Sequence, residues 1–138
     1  MIANLYKYIE DLGESIITVK KSYDLELTGK VVGVSLPTSA ANTALNNVIN
    51  DYNDFLKRPD IYRYGNLDAN INKSLTSYYQ SLDKLKEIDA FIKTAPNKLT
   101  QSDLTNYAVL ETAFNNSINL GLNLSRNGFT THIYNAIK

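Results

Sequence analysis

The sequence predicts an all-α fold. We expect a single domain over residues 1–138, an up-and-down four-helix bundle with a short β-hairpin between helices 1 and 2. Three observations predict it. Apolar residues recur at alternating spacings of three and four over most of the chain. Three prolines, Pro37, Pro59 and Pro96, fall between those stretches and cut the chain into four segments. A length of 138 residues suffices for one ordinary core and is short for two.

The first segment carries Ile2, Leu5, Ile9, Leu12, Ile16, Val19 and Tyr23 on one helical face. Lys7, Glu10, Asp11, Glu14, Lys20 and Lys21 take the other faces, and Tyr6 and Tyr8 flank the stripe. Gly13 is a weak point, costing up to ~1 kcal/mol against Ala. The pattern stops at Tyr23, too early for a coiled coil, so bundle packing is favoured. Leu25 to Leu36 changes period and is rich in β-branched residues, which predicts a hairpin around Thr28-Gly29-Lys30.

A second helix starts near Thr38 or Ser39, both good caps. Its stripe is Ala41, Leu45, Val48, Tyr52 and Phe55, and Lys57 and Arg58 suit the negative end of its dipole before Pro59. Asp60 to Asn66 reads as an aromatic link. The third helix spans about Leu67 to Thr94 with Leu67, Ile71, Leu75, Tyr78, Leu82, Leu85, Ile88 and Ile92 as its stripe. Ala95-Pro96-Asn97 turns the chain. Thr100-Gln101-Ser102-Asp103 is a helix-start signal. Leu104, Tyr107, Ala108, Leu110, Phe114, Ile118 and Leu122 support the fourth helix beyond it. Ile118 to Leu124 also alternates like a strand, and the upstream helical pattern decides for helix. Asn127-Gly128 predicts a break, with Phe129, Ile133 and Ile137 on a short terminal helix.

The composition argues against most chemistry. Fourteen Lys+Arg balance fourteen Asp+Glu, so no basic excess marks a nucleic-acid footprint. Zero cysteines remove disulfides, thiol catalysis and thiolate metal sites. His132 is the one histidine, and no Glu lies three residues before it, as a di-metal bundle motif would need. Paired carboxylates such as Asp51/Asp54 and Glu10/Glu14 sit amid polar residues and read as solvated surface. Phosphate-binding glycine loops and hydrolase elbows are absent from the sequence. We therefore expect no enzyme, no catalytic residue, no cofactor and no metal. No basic start followed by an apolar stretch marks a secretory signal, and no apolar run is long enough for a membrane helix. The expected place is the cytoplasm, or a particle assembled there.

Two features point to contacts. Ten tyrosines accompany no tryptophan, and tyrosine supplies large, rigid area with a polar tip. Tyr62 and Tyr64 bracket Arg63. From Thr112 to Ile137 the only formally charged side chain is Arg126, amid Asn115, Asn116, Asn119 and Asn123. Solvated faces usually carry Lys and Glu, whereas interface cores are charge-depleted. The candidate interface residues are Tyr62, Arg63, Tyr64, Asn115, Asn116, Asn119, Asn123, Phe129 and Tyr134.

Tyr62-Arg63-Tyr64, Leu67-Asp68, Arg126, Gly128 and Tyr134-Asn135 give the second half a resemblance to the coat proteins of rod-shaped plant viruses. In that family an aromatic-Arg-aromatic strand leads into a long helix opening with Leu-Asp. A second long helix ends near an Arg, a Gly and an aromatic-Asn pair. The resemblance implies an RNA-binding subunit of a helical particle. The family's helix carries an Arg cluster, where this chain has only Lys84, Lys86 and Lys93, and the first half does not align.

The leading expectation is a non-enzymatic helical protein acting through protein–protein contacts, a structural subunit of a larger assembly such as a phage or viral particle. Its partner is another protein or a second copy, with no membrane. The alternative is an RNA-binding coat-like subunit, and a ligand-binding or enzymatic bundle ranks third.

Overall fold

The computed structural model describes residues 2–32, 39–96 and 98–137. It is all-helical there, with five helices: α1 (Ile2–Val32), α2 (Ser39–Leu56), α3 (Pro59–Gly65), α4 (Ala69–Thr94) and α5 (Gln101–Ile137). The expected count of four is corrected by α3, which occupies the aromatic link. Pro59 stands at its first turn, where the missing N–H costs nothing, and Arg58 before it is extended.

The expected hairpin is not present in the described residues. Leu25 to Val32 continue α1, and Gly33 to Leu36 lie outside the described residues, as do Thr38 and Asn97. Leu25, Val31 and Val32 are exposed and Leu27 is only partly buried, while Glu26 and Gly29 carry the buried stripe onward from Tyr23. Burial follows the helical period, and tertiary packing overrides β propensity. Lys30 Nζ donates to the Ala95 carbonyl at 3.0 Å, tying the end of α1 to the end of α4.

The second correction concerns Asn127-Gly128. α5 runs unbroken for 37 residues, and Gly128 is buried inside it. The ambiguous stretch from Ile118 to Leu124 is helix.

Helix ends follow local chemistry. Asp68 caps α4 by accepting the Asn70 N–H at 3.0 Å. Ala95, extended before Pro96, closes it. Thr100 and Asp103 form the reciprocal bonds that the sequence announced. Asp103 N–H donates to Thr100 Oγ1 at 3.1 Å, and Thr100 N–H donates to Asp103 Oδ2 at 2.9 Å.

The predicted stripes meet in one core. It holds Leu5, Ile9 and Ile16 of α1; Leu45 and Tyr52 of α2; Ile71, Leu85 and Ile88 of α4; and Phe114, Ile118 and Leu122 of α5. α4 packs most extensively on α5, and α1 touches α5, α2 and α4. Neighbours alternate in direction. Lys20 meets Glu111 and Tyr6 meets His132, so α5 runs opposite to α1. Tyr52 bonds the Leu75 carbonyl and Asn42 bonds Asp89, so α2 runs opposite to α4.

Tyr6, expected beside the stripe, is fully buried. Its ring rests on Gly128 of α5, where a Cβ would stand 2.6 Å from Tyr6 Cδ1. Tyr78 is seated in the same way between Gly13 and Gly121, so Gly13 is a close-packing position rather than a defect. Ser74 donates to the Gly121 carbonyl at 2.7 Å, and Ser125 lies 3.5 Å from the Tyr78 hydroxyl. Small residues thus let α4 and α5 approach, and the Ser74 and Ser125 hydroxyls donate to the Gly121 and Leu122 carbonyls.

Candidate functional site

Of the predicted interface residues, Asn115, Asn116, Asn119 and Asn123 come together on one exposed face of α5. At 100° per residue they span an arc of roughly 100°, widened to about 140° by Leu120. Thr112 lies within the arc, and Val109 and Leu120 project from it 67% and 53% exposed. A shallow depression lined by Ala108, Val109, Thr112, Ala113 and Asn116 lies toward its start. The opposite side of α5 is covered by α1 and α4. The one charge on this stretch is neutralised. Arg126 Nη2 donates to Glu14 at 2.6 Å, and Nε donates to Glu10 at 3.3 Å.

Phe129 faces the other way, partly buried against the core. Tyr134 is 59% exposed near the end of α5. Tyr62, Arg63 and Tyr64 lie on α3, not on the strand that the plant-virus resemblance implied. Tyr62 and Arg63 are exposed, and Tyr64 is half-buried against the core. α3 and the last turns of α5 occupy the same end of the molecule, because Asp68 meets His132 there at 3.0 Å.

The sequence reading missed the surroundings of α3. A cleft of about 440 Å³ opens between α1 and α3, lined by Asn4, Tyr8, Arg58, Asp60, Arg63 and Tyr64. Arg58 forks onto Asp60 at 2.9 and 3.1 Å, and its guanidinium stands 4.8 Å from the Tyr8 ring and 5.1 Å from the Phe55 ring. That fork holds the Asp60 carboxyl below the usual carboxylate range. The only sequence signal was the position of Arg58 next to Pro59; its partnership with Tyr8, fifty positions earlier, is tertiary.

Three polar clusters lie between helices. Lys20, buried, donates to Glu111 at 2.9 Å and to Asp24, and its ammonium stands 5.8 Å from the Tyr107 ring. Burial alone would lower its pKa, and the two carboxylates hold it above the ordinary value. Asp89 accepts from Tyr23 at 2.7 Å, Lys93 at 2.8 Å and Asn42 at 3.3 Å. Burial pushes the Tyr107 phenol up to about 12. The third cluster is Asp68 with His132, whose ring stacks on Tyr6 at 5.6 Å. The Tyr6 hydroxyl is turned toward Asp68 but meets no partner in hydrogen-bonding geometry. Among the described residues no three His, Asp or Glu side chains gather as a metal site, and no helix is long and apolar enough to cross a membrane.

Compared with protein-family models, curated proteins and solved structures, the chain has no match.

Proposed function

We propose that this protein is a non-enzymatic helical subunit that joins a second copy of itself through the outer face of α5, as a structural component of a larger assembly such as a phage or viral particle. In this reading α1, α2, α4 and α5 are the four up-and-down helices of a bundle, and α3 is a connection. The observation that carries it is the charge-poor outer arc of α5, whose one charge, Arg126, is paired with Glu10 and Glu14. A two-fold contact sets a surface against itself, so a patch of one sign repels its copy. Asparagine amides both donate and accept, so Asn115, Asn119 and Asn123 can pair with the same residues of a second copy. Leu120 and Val109 supply apolar area within that arc.

From Thr105 to Tyr134 the face is about 45 Å long. At about 10 Å wide it offers roughly 450 Å² per copy, or about 900 Å² in the pair, near the lower bound for a specific interface. One such contact is small and weak, suited to an assembly in which contacts repeat.

Light scattering on the eluting protein tests this. The wild type is expected to show a concentration-dependent mass above the monomer. The Asn116→Glu/Asn119→Glu variant is expected to elute as a monomer, because four like charges then meet across the contact. Asn47→Glu, on the exposed side of α2, is expected to leave the mass unchanged. Because the one charge on the face, Arg126, is already paired with Glu10 and Glu14, the association should change less than about twofold between low and high sodium chloride. A wild type that stays monomeric to about 1 mM, or a double-Glu variant that associates equally well, overturns the reading.

A further inference from the structure

The cleft between α1 and α3 has no part in the α5 contact, and its chemistry is different. Its lining combines two guanidinium groups, two tyrosine rings and an amide, drawn from α1, α3 and Arg58 just before α3. The charges are unequal in availability. Arg58 is committed, with both prongs on Asp60 and its faces against Tyr8 and Phe55. Arg63 is exposed, 5.9 Å from the Tyr64 ring, and among the described residues no carboxylate lies within ion-pair distance of it. Two cations and one carboxylate leave the cleft with one net positive charge, in a protein whose total is zero. The rings are also accessible, Tyr8 being 47% exposed and Tyr64 half-buried.

A cation beside aromatic faces selects an anion that carries a planar group. The guanidinium fork matches phosphate oxygens, and tyrosine faces stack on heteroaromatic rings. The volume, about 440 Å³, lies within the range of small-molecule sites. We propose that this cleft is a binding site for a nucleoside monophosphate unit, with the phosphate on Arg63 and the base against Tyr8 and Tyr64. Asn4 stands in the lining with an amide that can donate to a phosphate or a base. Asp60 fixes the Arg58 plane beside Tyr8, and the Arg58 fork occupies both oxygens of this one carboxylate in the lining.

The unit could come from a free nucleotide or from one residue of a single-stranded polynucleotide, and the experiment separates them. Titration calorimetry of the full chain would use adenosine monophosphate, inorganic phosphate and a short single-stranded oligoadenylate at low salt. The expected dissociation constant for the nucleotide is about 1 mM or tighter. Arg63→Gln, at an exposed position, should weaken it about tenfold while far-UV circular dichroism stays unchanged. Tyr8→Leu should weaken the nucleotide about fivefold and inorganic phosphate hardly at all. Lys84→Gln on α4 should change nothing. Tighter binding of the oligonucleotide, falling steeply with salt, assigns the site to a polynucleotide. Equal affinity for both assigns it to the free nucleotide. No saturable nucleotide binding below about 10 mM, affinity for inorganic phosphate equal to that for the nucleotide, or binding unaltered by Arg63→Gln each overturns the proposal. All three readouts are independent of the oligomeric state of the wild type.

Discussion

Tyr78 lies directly against Gly121: a Cβ on that glycine would stand 2.5 Å from the ring's Cε1 and 3.2 Å from the Ser74 carbonyl oxygen. The same ring closes on Gly13 of α1, where a Cβ would stand 2.7 Å from Cζ. One aromatic side chain thus sets how closely α1, α4 and α5 approach, and it has no room to move aside. Gly121→Ala gains up to ~1 kcal/mol of helix propensity and loses about 1–3 kcal/mol to overpacking. The net expectation is a loss of about 1–2 kcal/mol in urea unfolding. In the background of Tyr78→Leu the same substitution should cost far less, and the difference is read from a double-mutant cycle. Additive effects would show that the ring does not limit the approach.

Lys20 is the buried cation of the α1–α5 contact, with a side chain 8% exposed, whereas Asp24 and Glu111 are nearly half exposed. Lys20→Met fills the same space without charge and leaves two carboxylates that water can still reach. The cost should therefore be about 1–2 kcal/mol, below the 3–5 typical when a fully buried charge loses its partner. Glu111→Gln, which leaves Asp24 in place, should cost less than Lys20→Met. The reverse order in urea unfolding would refute this ranking.

Asp68 performs two tasks, capping α4 and holding His132 of α5. Burial alone would raise its pKa. The facing Tyr6 hydroxyl, His132 and the Asn70 N–H outweigh burial and hold the carboxyl below the ordinary range. The unfolded chain therefore takes up this proton first as the pH falls. The stability contributed by Asp68 is complete above about pH 4 and is lost as pH falls through the lower folded value. Asp68→Ala should cost about 1–2 kcal/mol at neutral pH and flatten the acid limb of stability against pH. Asp68→Asn keeps an acceptor for the cap and should cost less at neutral pH, with the same flattening. An acid limb of unchanged slope in both variants would contradict this.

Glu26 works in the opposite sense. Its carboxylate is buried, and Oε1 has no hydrogen-bond partner. Burial holds its pKa above the ordinary glutamate range. As the pH rises past about 4.3, the unfolded chain ionises first, so stability falls until the folded carboxyl ionises as well. Glu26→Gln removes the charge and keeps the shape of the side chain. It should raise stability at neutral pH by about 1 kcal/mol and reduce the decline between pH 4 and neutrality. Thermal unfolding at two pH values checks both, and a lower stability than wild type at neutral pH would be the contrary result.

Elements with long, uninterrupted apolar periodicity were legible in the sequence, because each such stripe has one way to be covered. Ile71 to Ile92 and Ala41 to Tyr52 fall where their spacing places them, and Thr100 with Asp103 caps α5 as written. Glu26 and Gly29 hid the continuation of α1, because a buried acid and a glycine do not register as apolar. Gly128 read as a break, because a glycine that admits a neighbour's ring has the same letter as one that ends a helix. The exposed amide face of α5 was visible as a run without charge. The cleft at α3 was not, since Tyr8 and Arg58 meet only across a helix contact.

The sequence by itself determined that the chain is helical and which side of each long helix is covered, since apolar spacing and caps are local properties. Only the tertiary structure decided where rings replace side chains, as Tyr6 and Tyr78 do on Gly128, Gly13 and Gly121. It also decided which charges are spent on each other and which, like Arg63, remain available. Those outcomes depend on distances between residues far apart in the chain, and no local pattern encodes such distances.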